Sequence, residues 1–223
     1  NQCQSCNFTM VRMQGLSSEH TQVLINGQPV YSGLASVYGL EQIGTGDVDR
    51  IEVVKGAGSA LYGSSAIAGA INIITREPSP VPTVSADIQF GSHNTNIYNL
   101  NASMQNEKGN IGLSLYAQKI DHGVIDATGE GMSREEVKGA DGISDRVGSK
   151  LHNLGASLFI EDPLFGNDRL VLRGKAINEK REGGVITGNL YKNPFSEGTE
   201  NISTDRYEAE ANYRLVLESG TEI

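Results

Sequence analysis

Beyond residue 82 the sequence alternates between apolar and polar positions, so that every second residue shares a character. Such alternation is typical of β-strands that present one apolar and one polar face. The apolar positions of each segment face away from Ser, Asn, Gln, Gly and charged residues. They occupy six stretches: Val84–Phe90, Tyr98–Met104, Ile111–Ala117, Leu154–Ile160, Leu170–Ala176 and Tyr207–Leu215. The pattern predicts a sheet of at least six strands.

The connections between these stretches differ in length and composition. After a first short link at 91–95, short connections at 106–109, 162–167 and 218–221 alternate with long, polar, glycine-rich linkers at 122–149 and 181–203. Outer-membrane β-barrels have tight turns at one end and long loops at the other. Soluble sandwiches also alternate in pattern, but their loops need not sort by side. Both architectures are compatible with the alternation alone.

The first third of the chain has a different character. Strand signals at 9–14, 22–26, 50–54 and 71–75 are separated by loops, and Asn26-Gly27 is a tight-turn dipeptide. The run Pro78-Ser79-Pro80-Val81-Pro82 cannot lie inside a helix or sheet. We therefore predict a loop-rich mixed α+β domain at 1–78, a linker at 79–82 and the strands at 83–223.

A glycine-spaced turn lies between the last two strand signals of this domain. Its glycines do not complete a dinucleotide fingerprint, because Leu61 stands at the sixth position, and Ser64 and Ser65 replace the Lys of a phosphate loop. A nucleotide-binding enzyme that uses the Gly56–Gly63 loop remains an alternative. Such dense small residues otherwise indicate backbone lying close against another surface.

The residues from Asp49 to Arg76 carry a family resemblance. They read DRIEVVKGAGSALYGSSAIAGAINIITR, which resembles the end of the plug (cork) domain of TonB-dependent outer-membrane receptors, a pattern like ERIEVLRGPxSxLYGxGAIGGVINIITK. Upstream, Val11-Arg12-Met13-Gln14-Gly15-Leu16 and Val23-Leu24-Ile25-Asn26-Gly27 resemble the IRG and LVDG segments of that family. The chain departs from the family pattern at Gln14, Asn26, Ala57 and Ala68.

The resemblance implies a plug followed by the first six or seven antiparallel strands of a transmembrane β-barrel, and so favours the barrel over a soluble sheet. Barrels of roughly 22 strands hold such a plug, so we expect the chain to be a fragment that lacks the N-terminal part of the plug. The implied function is TonB-dependent transport of a ferric siderophore, or of cobalamin or haem, across the bacterial outer membrane. TonB, its inner-membrane energising complex and outer-membrane lipid are the implied partners.

The resemblance also indicates candidate site residues. In the family, loops at the position of Tyr31, Tyr38 and Glu41 rise to the outer face and can contact the ligand. The alternative is that the two tyrosines pack against the barrel wall. Arg50, Glu52 and Lys55 lie on a strand that plugs lay against barrel charges, and charge-assisted hydrogen bonds would make them locking groups. A solvated charged face is the alternative.

The two cysteines, Cys3 and Cys6, form a C-x-x-C pair. We predict a short-loop disulfide in an oxidising compartment; a redox or metal role and two free thiols are the alternatives. Acidic residues in the first long linker could hold Ca²⁺, although a solvated loop is the simpler interpretation: Asp121, Asp126, Glu130, Glu135, Glu136, Asp141 and Asp145.

Composition excludes several function classes. The chain has 18 Lys and Arg against 27 Asp and Glu, a formal charge of −9, so it lacks the basic surplus that nucleic-acid binding requires. No catalytic constellation and no metal-ligand spacing stand out, and we expect neither an enzyme nor a bound cofactor. A β-rich adhesion or signalling module without transport is the second alternative function.

Overall fold

The computed structural model describes residues 2–3, 8–9, 11–29, 42–56, 66–126, 142–185 and 199–216. These residues form three sheets, of two, four and six strands. Packing divides the chain into two compact units, the first drawn from 1–76, 124–148 and 182–201 and the second from 77–123, 149–181 and 202–223. No helix in the described ranges is long and apolar enough to span a membrane.

Unit 1 contains the two smaller sheets. Its strands are β1 (Gln2–Cys3), β2 (Phe8–Thr9), β3 (Thr21–Ile25), β4 (Gln28–Pro29), β5 (Val48–Lys55) and β6 (Gly69–Thr75). β1 pairs with β2, and the other four strands form a mixed sheet in the order β4-β3-β6-β5. β3 runs parallel to β6, whereas β5 and β6 are antiparallel. Short 3-10 helices at Ser18–His20 and Thr45–Asp47 precede β3 and β5.

Small residues form the core of this mixed sheet. Leu24 on β3 is fully buried with Ala66 and Ala70, and Ala68 beside them is also fully buried. Gly69 has a φ of +139°, and a Cβ built there would lie 2.2 Å from the carbonyl oxygen of Val54. Only glycine allows β6 to start so close to β5. The small residues of 66–70 thus allow close backbone packing within this four-stranded sheet.

The predicted turn at Asn26-Gly27 is confirmed. Both residues have positive φ, +50° and +80°, as a two-residue hairpin turn between β3 and β4 requires. The Asn26 side chain accepts a hydrogen bond from the backbone N–H of Thr75 at 3.0 Å. The turn is therefore fastened to the end of β6.

The predicted strand at 9–14 is wrong for most of its length. β2 ends at Thr9, and the described residues 11–13 lie outside any strand. Gln14 and Gly15 adopt positive φ, and the Leu16 N–H donates to the Met13 carbonyl at 3.0 Å. This turn changes the direction of the backbone, so residues 11–14 do not continue as a strand.

Unit 2 contains most of a six-stranded sheet in strict chain order from β7 to β12. Its members are β7 (Thr83–Gly91), β8 (Thr95–Gln105), β9 (Ile111–His122), β10 (Gly148–Glu161), β11 (Asp168–Gly184) and β12 (Thr199–Leu215). The pairs from β7 through β10 are antiparallel without a break in register. All six predicted segments are strands, and the connections 123–147 and 185–198 are the long ones. The domain limits at 78 and 83 stay predictions.

The two faces of this sheet show the reverse of the burial pattern that is usual in a soluble protein. Its apolar side chains are exposed, with Val84 at 77%, Phe90 at 74% and Leu154 at 57%. Polar side chains are buried instead, among them Asn99 at 9%, Gln118 at 6% and Asn153 at 0%. A contiguous exposed apolar face of this kind is suited to lipid rather than water. The alternation therefore has the sense predicted for a membrane β-barrel.

Candidate functional site

The predicted locking groups lie on β5, at the edge of the four-stranded sheet β4-β3-β6-β5, here named the plug sheet. Arg50 and Glu52 occupy alternate positions and so share one face of the strand. The Arg50 Nε donates to Glu52 Oε1 at 2.9 Å, and its Nη1 donates to Asp49 Oδ2 at 3.1 Å. Asn72 on β6 donates to the other Glu52 oxygen at 3.2 Å. The charges of this edge are thus organised within the sheet.

The β5 charges remain accessible despite these bonds. The Arg50 side chain is 59% exposed and Glu52 44% exposed. The hydrogen bond to Glu52, and next the one to Asp49, raises the pKa of the Arg50 guanidinium above its usual value. Lys55 is exposed at the end of the strand. An exposed row of this kind is available to a further partner, and the locking role of the three residues stays a prediction.

Other predicted site residues fall outside the described ranges. Tyr31, Tyr38, Glu41 and Cys6 are among them, as is most of the Gly56–Gly63 loop. Cys3 lies on β1, opposite Phe8 of β2. The ligand-contact and disulfide predictions therefore stay predictions.

The polar face of the six-stranded sheet carries a ladder of hydrogen bonds across three strands. Gln118 Nε2 on β9 donates to Asn99 Oδ1 on β8 at 2.9 Å. Asn99 Nδ2 in turn reaches Asp87 Oδ1 on β7 at 3.3 Å. One strand further, the Tyr116 hydroxyl donates to Asn153 Oδ1 on β10 at 2.7 Å. These bonds satisfy polar groups that burial would otherwise penalise.

Ion pairs continue this polar face on β11 and β12. Arg181 is 1% exposed and donates to Glu179 Oε1 at 2.7 Å, and the same carboxylate oxygen accepts from the Ser149 hydroxyl at 3.0 Å. Arg173 on β11 pairs with Glu210 on β12 at 2.8 Å. The face therefore presents fixed hydrogen-bonding groups and paired charges. Such a surface is suited to line a polar bore.

These cross-strand partners are not evident from the sequence. Alternation identifies the polar face, but the partner of each residue depends on the register between strands. The positions of the glycines contain one usable signal: Gly112 and Gly155 stand on the polar face, and a Cβ there would overlap Phe159 and Tyr116 respectively. A glycine opposite an aromatic residue indicates a ring lying across the neighbouring strand.

The described residues contain no cluster of three or more potential metal ligands. Among the acidic residues of the first long linker, Asp126 accepts a hydrogen bond from the Gly142 N–H at 3.0 Å. Asp121 pairs with Lys119 at 3.1 Å. Glu130, Glu135, Glu136 and Asp141 lie outside the described ranges, and the Ca²⁺ alternative stays untested.

Comparison with known proteins gives a family match for the first third of the chain. The model of the TonB-dependent Receptor Plug Domain matches residues 1–70. The vitamin B12 transporter BtuB of Photobacterium profundum is 34% identical over 113 residues, which are 51% of this chain and 18% of that protein. The chain thus spans about a fifth of the length of this curated relative.

Solved receptors share the fold across nearly the whole chain. The pyoverdine receptor FpvA of Pseudomonas aeruginosa, bound to pyoverdine, matches 97% of this chain and 31% of its own, with a TM-score of 0.68 at 15% identity. The siderophore receptor PirA of Acinetobacter baumannii matches 92% and 31%, with a TM-score of 0.64 at 17% identity.

A third solved receptor gives the same result. The ferric yersiniabactin uptake receptor FyuA of Yersinia pestis matches 95% of this chain and 33% of its own, with a TM-score of 0.60 at 18% identity. In all three structures the chain corresponds to about a third of the receptor. Residues 1–70 match the plug domain of TonB-dependent receptors, and the chain as a whole shares the fold of the corresponding third of these outer-membrane receptors, a plug followed by antiparallel strands of a β-barrel.

Proposed function

We propose that the receptor containing this chain takes up a scarce nutrient across the outer membrane and draws its energy through TonB. The observation that carries the proposal is the order of two parts: a plug match at residues 1–70, followed by a sheet with an exposed apolar and a buried polar face. A polar bore wide enough for a bulky nutrient needs a stopper, and the plug supplies it. The relatives named above are transport receptors, which fits a protein without a catalytic step.

A ferric siderophore is the transported ligand that we favour. PirA, FpvA and FyuA, whose fold matches 92 to 97% of this chain, are all named for siderophores or their ferric forms, and we place this ligand first for that reason. Cobalamin is the second candidate, because the vitamin B12 transporter is 34% identical over 51% of this chain. Haem is the third ligand of the same class.

Three sets of plug residues have proposed roles in this cycle. Tyr31, Tyr38 and Glu41 would contact the ligand at the outer face. Arg50, Glu52 and Lys55 would hold the plug through charge-assisted hydrogen bonds that break and reform during transport. A Cys3–Cys6 disulfide would brace a plug loop.

Uptake by the intact receptor tests the proposal. Cells that express the intact receptor take up labelled ferric siderophore, cobalamin or haem, and deletion of TonB abolishes uptake while surface binding persists. The three labels are compared in parallel, so that the preferred ligand identifies itself. Binding of none of them, or uptake that is equal with and without TonB, would contradict the proposal.

The two alternative functions predict other results. A nucleotide-binding enzyme would bind a nucleotide at micromolar concentration through the Gly56–Gly63 loop. An adhesion or signalling module would bind none of the three nutrients and would stay soluble without detergent. Equilibrium dialysis with a labelled nucleotide, together with the detergent requirement, separates these cases from transport.

A further inference from the structure

Residues Glu77–Ser79, here named the anchor segment, are bonded to β8 and β11 of the six-stranded sheet and lie close to Gly112 on β9. The anchor segment directly follows Arg76, where the first stretch of unit 1 ends, and itself packs with unit 2. The Pro78 carbonyl accepts a hydrogen bond from Gln105 Nε2 on β8 at 2.6 Å. The Ser79 N–H donates to the Ser103 hydroxyl on the same strand. The backbone of the segment is therefore held like that of a bound peptide.

The ring of Pro78 lies in the space left by the missing side chain of Gly112, here named the proline seat. Pro78 is buried, and a Cβ added to Gly112 on β9 would lie 2.8 Å from the Pro78 Cβ. The same added atom would lie 2.3 Å from the ring of Phe159 on β10, which is itself buried. A side chain at position 112 would therefore displace either the proline or the aromatic ring.

Arg169 on β11 forms an ion pair with the first residue of the anchor segment. Its Nη2 pairs with Glu77 Oε2 at 2.9 Å and its Nη1 with Glu161 Oε1 at 3.2 Å. The guanidinium lies over the Phe159 ring at 4.8 Å. The Arg169 side chain is 21% exposed and that of Glu77 62%, so the buried proline seat holds the segment more strongly than the outer ion pair does.

We propose that this site is a fixed anchor that stays closed throughout transport, so that rearrangement of the plug ends at Glu77. The inference rests on the proposed TonB-driven transport. If the anchor opened, residues 77–82 could straighten to a span of up to about 20 Å, and a pull on the plug would be absorbed by slack chain. A closed anchor transmits that pull to the plug instead, and it holds the plug's exit point on the barrel wall. Arg169 and Gly112 are thus positioning residues.

Labelling of the segment tests whether these contacts hold it. Ser79→Cys is introduced into the intact receptor in its membrane, and its reaction with a maleimide is timed without any ligand. Gly112→Ala should accelerate labelling by about tenfold, because its methyl group fills the proline seat. Arg169→Gln should accelerate it by a smaller factor, because the ion pair that it removes is partly exposed. The parent receptor, which retains Ser79, gives the background from Cys3 and Cys6.

Matched controls for both variants are present on β11. Arg173→Gln removes an arginine that pairs with Glu210 instead of the segment. Gly174→Ala adds a methyl group where nothing lies within 4 Å of the new atom. Both controls, combined with Ser79→Cys, should label as slowly as Ser79→Cys alone. Equal labelling of Arg169→Gln, Gly112→Ala and the controls would overturn the proposal.

A reversible lock tests whether the anchor must stay closed. The pair Ser79→Cys and Ser103→Cys is oxidised to a disulfide in the intact receptor, and uptake of labelled ferric siderophore and cobalamin is measured before and after reduction. The locked receptor should transport at the parent rate. Loss of uptake that reduction restores would overturn the proposal, because the segment would then have to move.

Measurements of ligand binding and uptake by the same variants separate this inference from the proposed function. Arg169→Gln and Gly112→Ala should bind ligand at the cell surface like the parent but take it up several times more slowly, whereas the controls should do both normally. Uptake at the parent rate in both variants, with the segment released, would overturn the anchoring role. Failure of the parent receptor to transport any nutrient would instead contradict the proposed function.

Discussion

The plug sheet and the six-stranded sheet solve opposite packing problems with similar residues. In the plug, Leu24 and its alanine neighbours are buried and the charges of β5 are exposed. In the six-stranded sheet, Leu154 is exposed and Asn153 beside it is fully buried. The difference shows that alternation alone does not say which face is inside. The medium that each face meets decides it, and an exposed apolar face is the one suited to lipid.

The largest effect is expected in the plug core. Leu24→Ala should destabilise the plug sheet by roughly 2–5 kcal/mol, because it leaves a cavity against Ala66 and Ala70. Hydrogen exchange of the β3 and β6 amides in the intact receptor measures this loss. Ile51→Val on β5, where the side chain is 59% exposed, is the control and should change stability by less than about 0.5 kcal/mol. Equal effects would mean that the two faces of the plug sheet are not distinct.

A charge on the apolar face of the six-stranded sheet comes next. Leu115→Arg on β9, where the leucine is 48% exposed, should cost roughly 2–4 kcal/mol, because lipid does not solvate the guanidinium. The temperature at which the receptor unfolds in detergent, and the fraction that inserts, report the cost. Leu115→Met is the control. A folded receptor that tolerates arginine there would show that this face meets water.

The polar ladder should respond more mildly. Gln118→Met removes the donor to Asn99 from a buried position and should cost roughly 1–3 kcal/mol. The double variant with Asn99→Leu should cost less than the sum of the two single changes, since two partners are removed together. Thermal unfolding of the intact receptor gives the three values. Strict additivity would show that the two amides are not coupled.

The hairpin turn of the plug offers a smaller effect. Asn26→Ala should cost roughly 1–2 kcal/mol, because alanine is strained at a φ of +50° and loses the bond to Thr75. Asn26→Gly keeps the conformation and loses only the side-chain bonds, so it should cost less. Thermal unfolding of the intact receptor distinguishes the two variants, whereas exchange of the Thr75 amide reports the bond that both lose. A larger cost for glycine than for alanine would contradict this account of the turn.

The smallest change in stability is expected at Arg50. Arg50→Gln removes an exposed ion pair with Glu52, which solvent screens, so unfolding should not shift measurably. If the residue is a locking group, the same variant should alter uptake while ligand binding stays constant. Unchanged uptake would leave the pair as part of a solvated face.

The alternating positions were sufficient to predict the six strands and the order of short and long connections. They underestimated the length of β11, which runs to Gly184. Backbone pairing continues beyond the last apolar position of β11, into residues that the sequence pattern assigned to a polar linker. In the plug, the sequence pattern predicted a strand through residue 14, but the positive φ values at Gln14 and Gly15 form a turn there instead.

The contacts of the candidate sites were harder to anticipate. Arg50 and Glu52 lie two residues apart, so their shared face followed from strand geometry. The meeting of Arg169 with Glu77 depends instead on how four strands are registered, and no local pattern contains that information. Gly112 is the one residue that hinted at this contact, because glycine in a strand indicates that another group approaches the backbone closely.

The strict chain order of β7 to β12 also bears on how the protein is made. Each strand pairs with the one synthesised just before it, so the sheet grows from local contacts at little cost in loop closure. Within the described residues β7 pairs on one side only, and its other edge stays open while the sheet grows. Biogenesis must guard that edge from stray pairing until a closing strand arrives.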